Sequence, residues 1–232
     1  MGSTVFLPDV AVREHEVEVP VSREDALLGN IRVFCRELSV DDSLPAIAYF
    51  QGGPGKPGPR MLMDWIPEAL KHYRIFLIDE RGTGRSTPID KSRPELIDVA
   101  HLSRLRPPDI AADAEELRKH LGFEKWDLLG NSFGGICIGS YMSYYPEGIG
   151  RAMLTGSIPP FGISADFYND KILDLLERRV KKIYNKAPWI EDRIREVSEY
   201  LNHNEEFLPT GERLTSQRFR FVGVMLGEEH GW

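Results

Sequence analysis

The chain has 232 residues, 41% of them apolar, and a formal net charge of −7 spread along its length; this suits one large or two small globular domains and excludes whole-chain disorder. It has no basic stripe of the kind a phosphate backbone needs, which argues against nucleic acid as a partner. Two distant cysteines, no basic leader ahead of a long apolar run, and no stretch near the roughly 20 apolar residues of a membrane helix predict a reduced, soluble, cytoplasmic protein without a membrane partner.

In chain order, Val17, Val19 and Val21 alternate as one face of a strand. The pattern resumes at Ile31, Val33 and Cys35 after a turn at Gly29-Asn30, which predicts an antiparallel hairpin. Ile47 to Phe50 and Ile75 to Ile78 are short, wholly apolar runs, as expected of parallel strands buried on both faces. Ile110, Ala114, Leu117 and Leu121 then share one helical face, with Gly122 placed to end the helix. Trp126 to Leu129 reads as a strand, Phe133 to Tyr145 as a helix stopped by Pro146, and Arg151 to Leu154 as the next strand. This alternation predicts an α/β fold with a mostly parallel sheet and helices on both faces.

From about Ser164 the strand patterns stop. Three helical patterns follow: Tyr168, Ile172, Leu175 and Ile183; Ile190, Ile194, Val197 and Leu201; Leu214, Arg218, Phe221 and Met225. Pro159-Pro160-Phe161-Gly162 is the expected joint, which divides the chain into residues 1–160 and 161–232.

The sharpest chemical signal is Gly130-Asn131-Ser132-Phe133-Gly134-Gly135, a G-x-S-x-G pattern between an apolar strand and an apolar helix. Glycines beside the serine allow a turn too tight for a Cβ, and the following helix directs its first amides at developing negative charge. Ser132 is therefore the predicted nucleophile and the Phe133 amide a predicted oxyanion donor. A second donor is expected from Gln51-Gly52-Gly53-Pro54-Gly55, the loop after an earlier strand, with Gly53 supplying the amide and Gly52 lining the substrate. The charged segment Asp79 to Ser86 follows the next strand. It reads either as a brace for the site or as a solvated loop with a surface ion pair, and Glu80 and Arg81 receive no catalytic role.

With these three segments in order, the chain from about Val12 to Pro160 resembles the prolyl aminopeptidases, or proline iminopeptidases, of the α/β-hydrolase superfamily. The family's His-Gly-Gly-Pro-Gly motif stands here as Gln51 to Gly55, its Asp-x-Arg-Gly-x-Gly-x-Ser motif as Asp79 to Ser86, and its nucleophile elbow as Gly130 to Gly135. The resemblance implies an α/β-hydrolase core followed by a helical cap. It also implies an acyl-enzyme at Ser132, a peptide substrate with a free N-terminal residue such as proline, and neither metal nor organic cofactor. By the family's logic Glu228 and Glu229 are candidates to bind the free amine.

The same resemblance places the triad Asp and His after the cap, on late strands that this sequence does not show, so the chain is expected to hold only the N-terminal part of such an enzyme. After Ser132 the aspartates are Asp166, Asp170, Asp174 and Asp192, and the histidines are His203 and His230. None follows an apolar strand, so neither missing role is assigned, and the chain alone is expected to be nearly inactive. Alternatives are an esterase or a peptidase of other specificity on the same fold, or a remnant that binds without catalysis.

Overall fold

The computed structural model describes residues 4–7, 9–60, 65–157 and 162–223. The chain divides into two compact units, residues 1–160 and 161–232.

The first unit is built on one sheet. Its strands are β1 (Thr4–Leu7), β2 (Val10–Pro20), β3 (Asn30–Ser39), β4 (Ala46–Phe50), β5 (Arg74–Asp79), β6 (Trp126–Asn131) and β7 (Ile149–Thr155), in the spatial order β1-β2-β3-β5-β4-β6-β7. Strands β1, β2, β3 and β5 pair antiparallel, and β5, β4, β6 and β7 pair parallel. The predicted hairpin is β2–β3, with Val17 opposite Val33 and Val19 opposite Ile31.

The two faces of the sheet follow the alternation of the strands. On one face Val33, Cys35, Ala48, Phe50, Phe76, Ile78 and Leu128 pack beneath two helices, α3 (Pro107–His120) and α4 (Phe133–Tyr144), which bring Ala111, Ala114, Leu117, Cys137, Ile138 and Tyr141. On the other face Ile47, Tyr49, Ile75 and Leu77 meet Ile66 and Leu70 at the short helix α1 (Ile66–Ala69). A further single turn, α2 (Val99–Leu102), is capped by the Asp98 side chain, which accepts from the His101 amide at 2.9 Å. Helix α3 starts with Pro107 and ends in Arg118, Lys119 and His120, which suits its dipole, and Gly122 takes φ +77° just beyond it. Both cysteines are buried and free.

The second unit contains α5 (Ala165–Lys186), α6 (Trp189–His203) and α7 (Ser216–Arg220). Ser164 and Thr215 cap α5 and α7, accepting from the amides of Phe167 and Arg218. The first two helical patterns hold. The third does not extend as far as its spacing suggested: Leu214 precedes the helix, its amide donating to the Glu206 carbonyl at 2.7 Å, and residues 207 and 213 form a small antiparallel bridge. Met225 and the joint residues Pro159, Pro160 and Phe161 lie outside the described residues. No helix among the described residues is long and apolar enough to cross a membrane.

Candidate active site

Strand β4 connects to β5 on one side of the sheet and pairs with the later β6 on its other side. Open α/β sheets form a crevice at such a reversal, outside the carboxyl ends of the strands. Phe50 lies opposite Gly130 in the β4–β6 register, so the loop after β4 and the turn after β6 leave the sheet side by side.

That turn holds Ser132 at φ +52° and ψ −117°, a positive-φ conformation that a residue with a Cβ adopts only under constraint. The constraint is visible on both sides: the Ser132 amide donates to the Thr155 carbonyl of β7 at 2.9 Å, and the Ser132 carbonyl accepts from the Gly135 amide at 3.0 Å. Close packing supplies the rest. A Cβ on Gly134 would lie 2.0 Å from the Phe50 carbonyl oxygen, and one on Gly130 would lie 2.6 Å from the Gly134 backbone. Only glycine at both positions lets α4 start this close to β4 and β6.

Ser132 is exposed and is the N-cap of α4, yet its side chain caps no amide. The Phe133 amide, first of the helix, has no acceptor within the helix. The hydroxyl thus stands beside an uncapped, electropositive helix end. Gly52 is buried against the elbow: a Cβ there would lie 3.2 Å from the Ser132 Cβ and 3.1 Å from the Asn131 carbonyl oxygen, while Gly53 beside it is exposed. Gly53 and Pro54 are joined by a cis bond. The structure therefore brings Gly52 against Ser132, with Phe133 and Gly53 the next residues along the two segments.

The Asp79–Ser86 segment braces these loops. Asp79 is fully buried at the end of β5; its carboxylate accepts from the Gly58 amide at 2.9 Å, the Arg85 amide at 2.8 Å and the Arg60 guanidinium. Gly84, at φ +53°, allows this approach, since a Cβ there would lie 2.2 Å from Asp79 Oδ2. Ser86 Oγ donates to the Asp79 carbonyl at 2.6 Å and accepts from the Phe34 amide at 2.9 Å. Arg81 is no surface residue: its guanidinium, 1% exposed, forks onto Asp113 of α3 at 2.6 and 2.7 Å and also donates to the Val21 carbonyl. Glu80 is 3% exposed, with Oε1 unpartnered among the described residues, and burial pushes its carboxyl up to about 8.

A family model described as the alpha/beta hydrolase fold matches residues 45–188, a span that runs from β4 through the elbow and into the second unit. The chain belongs to that family. It is 35% identical over 206 residues to a proline iminopeptidase of Aeromonas sobria, covering 84% of this chain and 48% of that protein. To a proline iminopeptidase of Aspergillus aculeatus it is 34% identical over 242 residues, covering 94% of this chain and 52% of the relative. The chain thus spans about half the length of these curated relatives. Among solved structures it is similar to a proline iminopeptidase-related protein from Thermus thermophilus, at TM-score 0.44 and 24% identity over 61% of this chain and 44% of that one.

Within this α/β-hydrolase chain, the described aspartates and histidines that follow the nucleophile lie on helices of the second unit. Asp166, Asp170 and Asp174 lie on α5 and Asp192 on α6, and His203 places Nδ1 2.8 Å from the Glu199 carbonyl of its own helix. Glu228, Glu229 and His230 lie outside the described residues. No group of three or more His, Cys, Asp or Glu among the described residues could hold a metal ion. The bracing role of Thr155 has no local signal in the sequence; that of Asp79 has one, a carboxylate directly after the apolar run Ile75 to Ile78.

Proposed function

We propose that this hydrolase chain carries the nucleophile and oxyanion donors of a serine aminopeptidase that releases N-terminal proline from peptides. The observation that carries the reading is Ser132 itself, an exposed serine held at positive φ on an uncapped helix end, with the Gly52-Gly53 loop against it. The curated relatives named proline iminopeptidase support the choice of substrate.

In this reading Ser132 Oγ attacks the carbonyl carbon of the N-terminal residue, and the carbonyl oxygen becomes an oxyanion facing the Phe133 and Gly53 amides. The C–N bond breaks, the shortened peptide leaves with a proton on its amine, and water then hydrolyses the acyl-enzyme to free proline and Ser132. Gly52 keeps the donor loop close to the elbow. Glu228 and Glu229 are proposed to receive the free amine of the substrate.

We assign no residue of this chain as general base, since no Asp–His pair follows Ser132 at a strand end among the described residues. Loss of a triad member lowers turnover by about three orders of magnitude or more, so slow turnover by the 232-residue chain belongs to the proposal. The test is cleavage of proline p-nitroanilide, with labelling of Ser132 by a fluorophosphonate probe as a second readout. Weak turnover and slow labelling, both abolished by Ser132→Ala, are expected. Labelling that survives Ser132→Ala would remove the nucleophile assignment, and rapid Ser132-dependent turnover would show that a base lies within these residues.

A further inference from the structure

One turn beyond the nucleophile, Ile136, Ser140 and Tyr144 of α4 form a wall of a cleft of about 550 Å³. The rest is made by Ser103, Arg104 and Arg106 ahead of α3, by the first residues of α3, and by Arg23 and Glu24 between β2 and β3. All of it lies within the first unit. Three arginines, Arg23, Arg104 and Arg106, line it, in a chain whose formal charge is −7.

The acids nearby are shared with the buried Arg81 or exposed to solvent. Asp113 is shared, at 3.3 Å from Arg23 and 2.6 Å from the buried Arg81. Glu24 holds Arg104 at 3.0 Å but is 79% exposed, so the pair is screened and readily displaced. Asp109, which also lines the cleft, lies 3.9 Å from the buried Arg81 and so is shared as well. Arg106 is exposed and forms no ion pair among the described residues. Pro107 and Pro108 lack amide hydrogens, and the Asp109 and Ile110 amides donate to the Arg106 carbonyl, so the start of α3 offers no free backbone donor here. Recognition in this cleft therefore falls to side chains.

We propose that the cleft binds the oxyanion group of a small molecule, a phosphate or a carboxylate, between Arg104 and Arg106 with Arg23 as a third donor. The planar guanidinium fork matches both groups, and a ligand oxygen replaces Glu24 as the partner of Arg104. Tyr144 and Tyr145, with ring centroids 6.3 Å apart, border the space that the remainder of such a ligand would occupy. The site is separate from Ser132 and does not depend on the hydrolase reading above.

The experiment follows the arginine Nε–H resonances of the 232-residue chain by NMR at constant ionic strength, with inorganic phosphate in one titration and acetate in the other. Saturable shifts of Arg104 and Arg106, with an apparent dissociation constant of about 1 mM or tighter, are expected with one anion or both, and the tighter arm distinguishes phosphate from carboxylate. Arg106→Gln, at an exposed position, weakens binding by about fivefold or more. Arg93→Gln, which removes an exposed arginine outside the cleft, leaves it unchanged. Shifts that grow linearly with both anions up to about 50 mM, saturation centred on other arginines, or equal effects of the two substitutions would overturn the proposal.

Discussion

Ser132 shows how a single residue carries both strain and reactivity. Holding a serine at φ +52° costs of order 1–3 kcal/mol, and the surrounding contacts maintain it: the Thr155 carbonyl, the Gly135 amide and the glycines that admit α4. Ser132→Gly is expected to abolish labelling by serine probes while raising stability by about 1 kcal/mol, read as a shift of the urea midpoint. Gly134→Ala has the opposite effect, because its methyl would meet the Phe50 carbonyl at 2.0 Å; a loss of about 1–3 kcal/mol or more is expected in the same assay. Glu80 gives a pH-dependent counterpart. Its carboxyl is pushed by burial from an ordinary 4.5 to about 8, so the folded chain keeps the proton that the unfolded chain releases. Stability from this group is fully present below about pH 4.5, falls by about 1.4 kcal/mol per pH unit as pH rises toward 8, and is constant above. Glu80→Gln, neutral and nearly isosteric, is expected to flatten that slope in unfolding curves between about pH 5 and 8, whereas an unchanged slope would show that Glu80 does not hold its proton.

Among the elements, the Arg81–Asp113 pair joins several. Arg81 leaves the end of β5, forks onto α3, and donates to the carbonyls of Pro20, Val21 and Arg104, so one guanidinium ties the hairpin, the sheet and the entry to α3. Removing either partner leaves a buried charge with only a longer second contact, Arg23 at 3.3 Å for Asp113 or Asp109 at 3.9 Å for Arg81. Arg81→Met or Asp113→Leu alone should cost about 3–5 kcal/mol, and the double substitution clearly less than the sum, which a double-mutant cycle measures. This pairing also marks where sequence reading stops. The elbow is legible because its signal is local: strand, glycine, serine and helix occupy adjacent positions, and the structure places β6, Ser132 and α4 accordingly. Arg81 is not, because its partner is 32 positions away and nothing near residue 81 distinguishes a buried guanidinium from a solvated one. The third helical pattern of the second unit misleads for a related reason. Helical spacing across Leu214 to Phe221 records apolar positions, but Leu214 satisfies its amide at Glu206 instead, and the helix is only five residues long.

At the scale of the whole molecule, β7 ends the described sheet with β6 as its partner on one side, and it presents half-buried Ala152, Met153 and Leu154. In the second unit, α5 leaves Phe167, Leu173 and Leu176 about half exposed. Unpaired strand edges and apolar surface of this kind promote association. Sedimentation velocity across a roughly hundredfold range of concentration should therefore show self-association of this chain; a single monomeric species throughout would count against it. The alternation of strands and helices reveals the α/β class, but not that β3 joins the parallel strands through β5, with Cys35 opposite Ile78, because strand order is set by long-range packing rather than local pattern.

The insertion of β4 between β5 and β6 has a kinetic consequence. The β2–β3 hairpin and the β6–β7 pair join neighbouring segments, whereas Ala48 must find Leu128, about eighty positions later, before the elbow has a floor. Contacts of such long sequence separation close slowly and late. During synthesis, the strand bearing the Gly52-Gly53 loop emerges long before the strand that presents Ser132, so the nucleophile acquires its strained geometry only when the centre of the sheet closes.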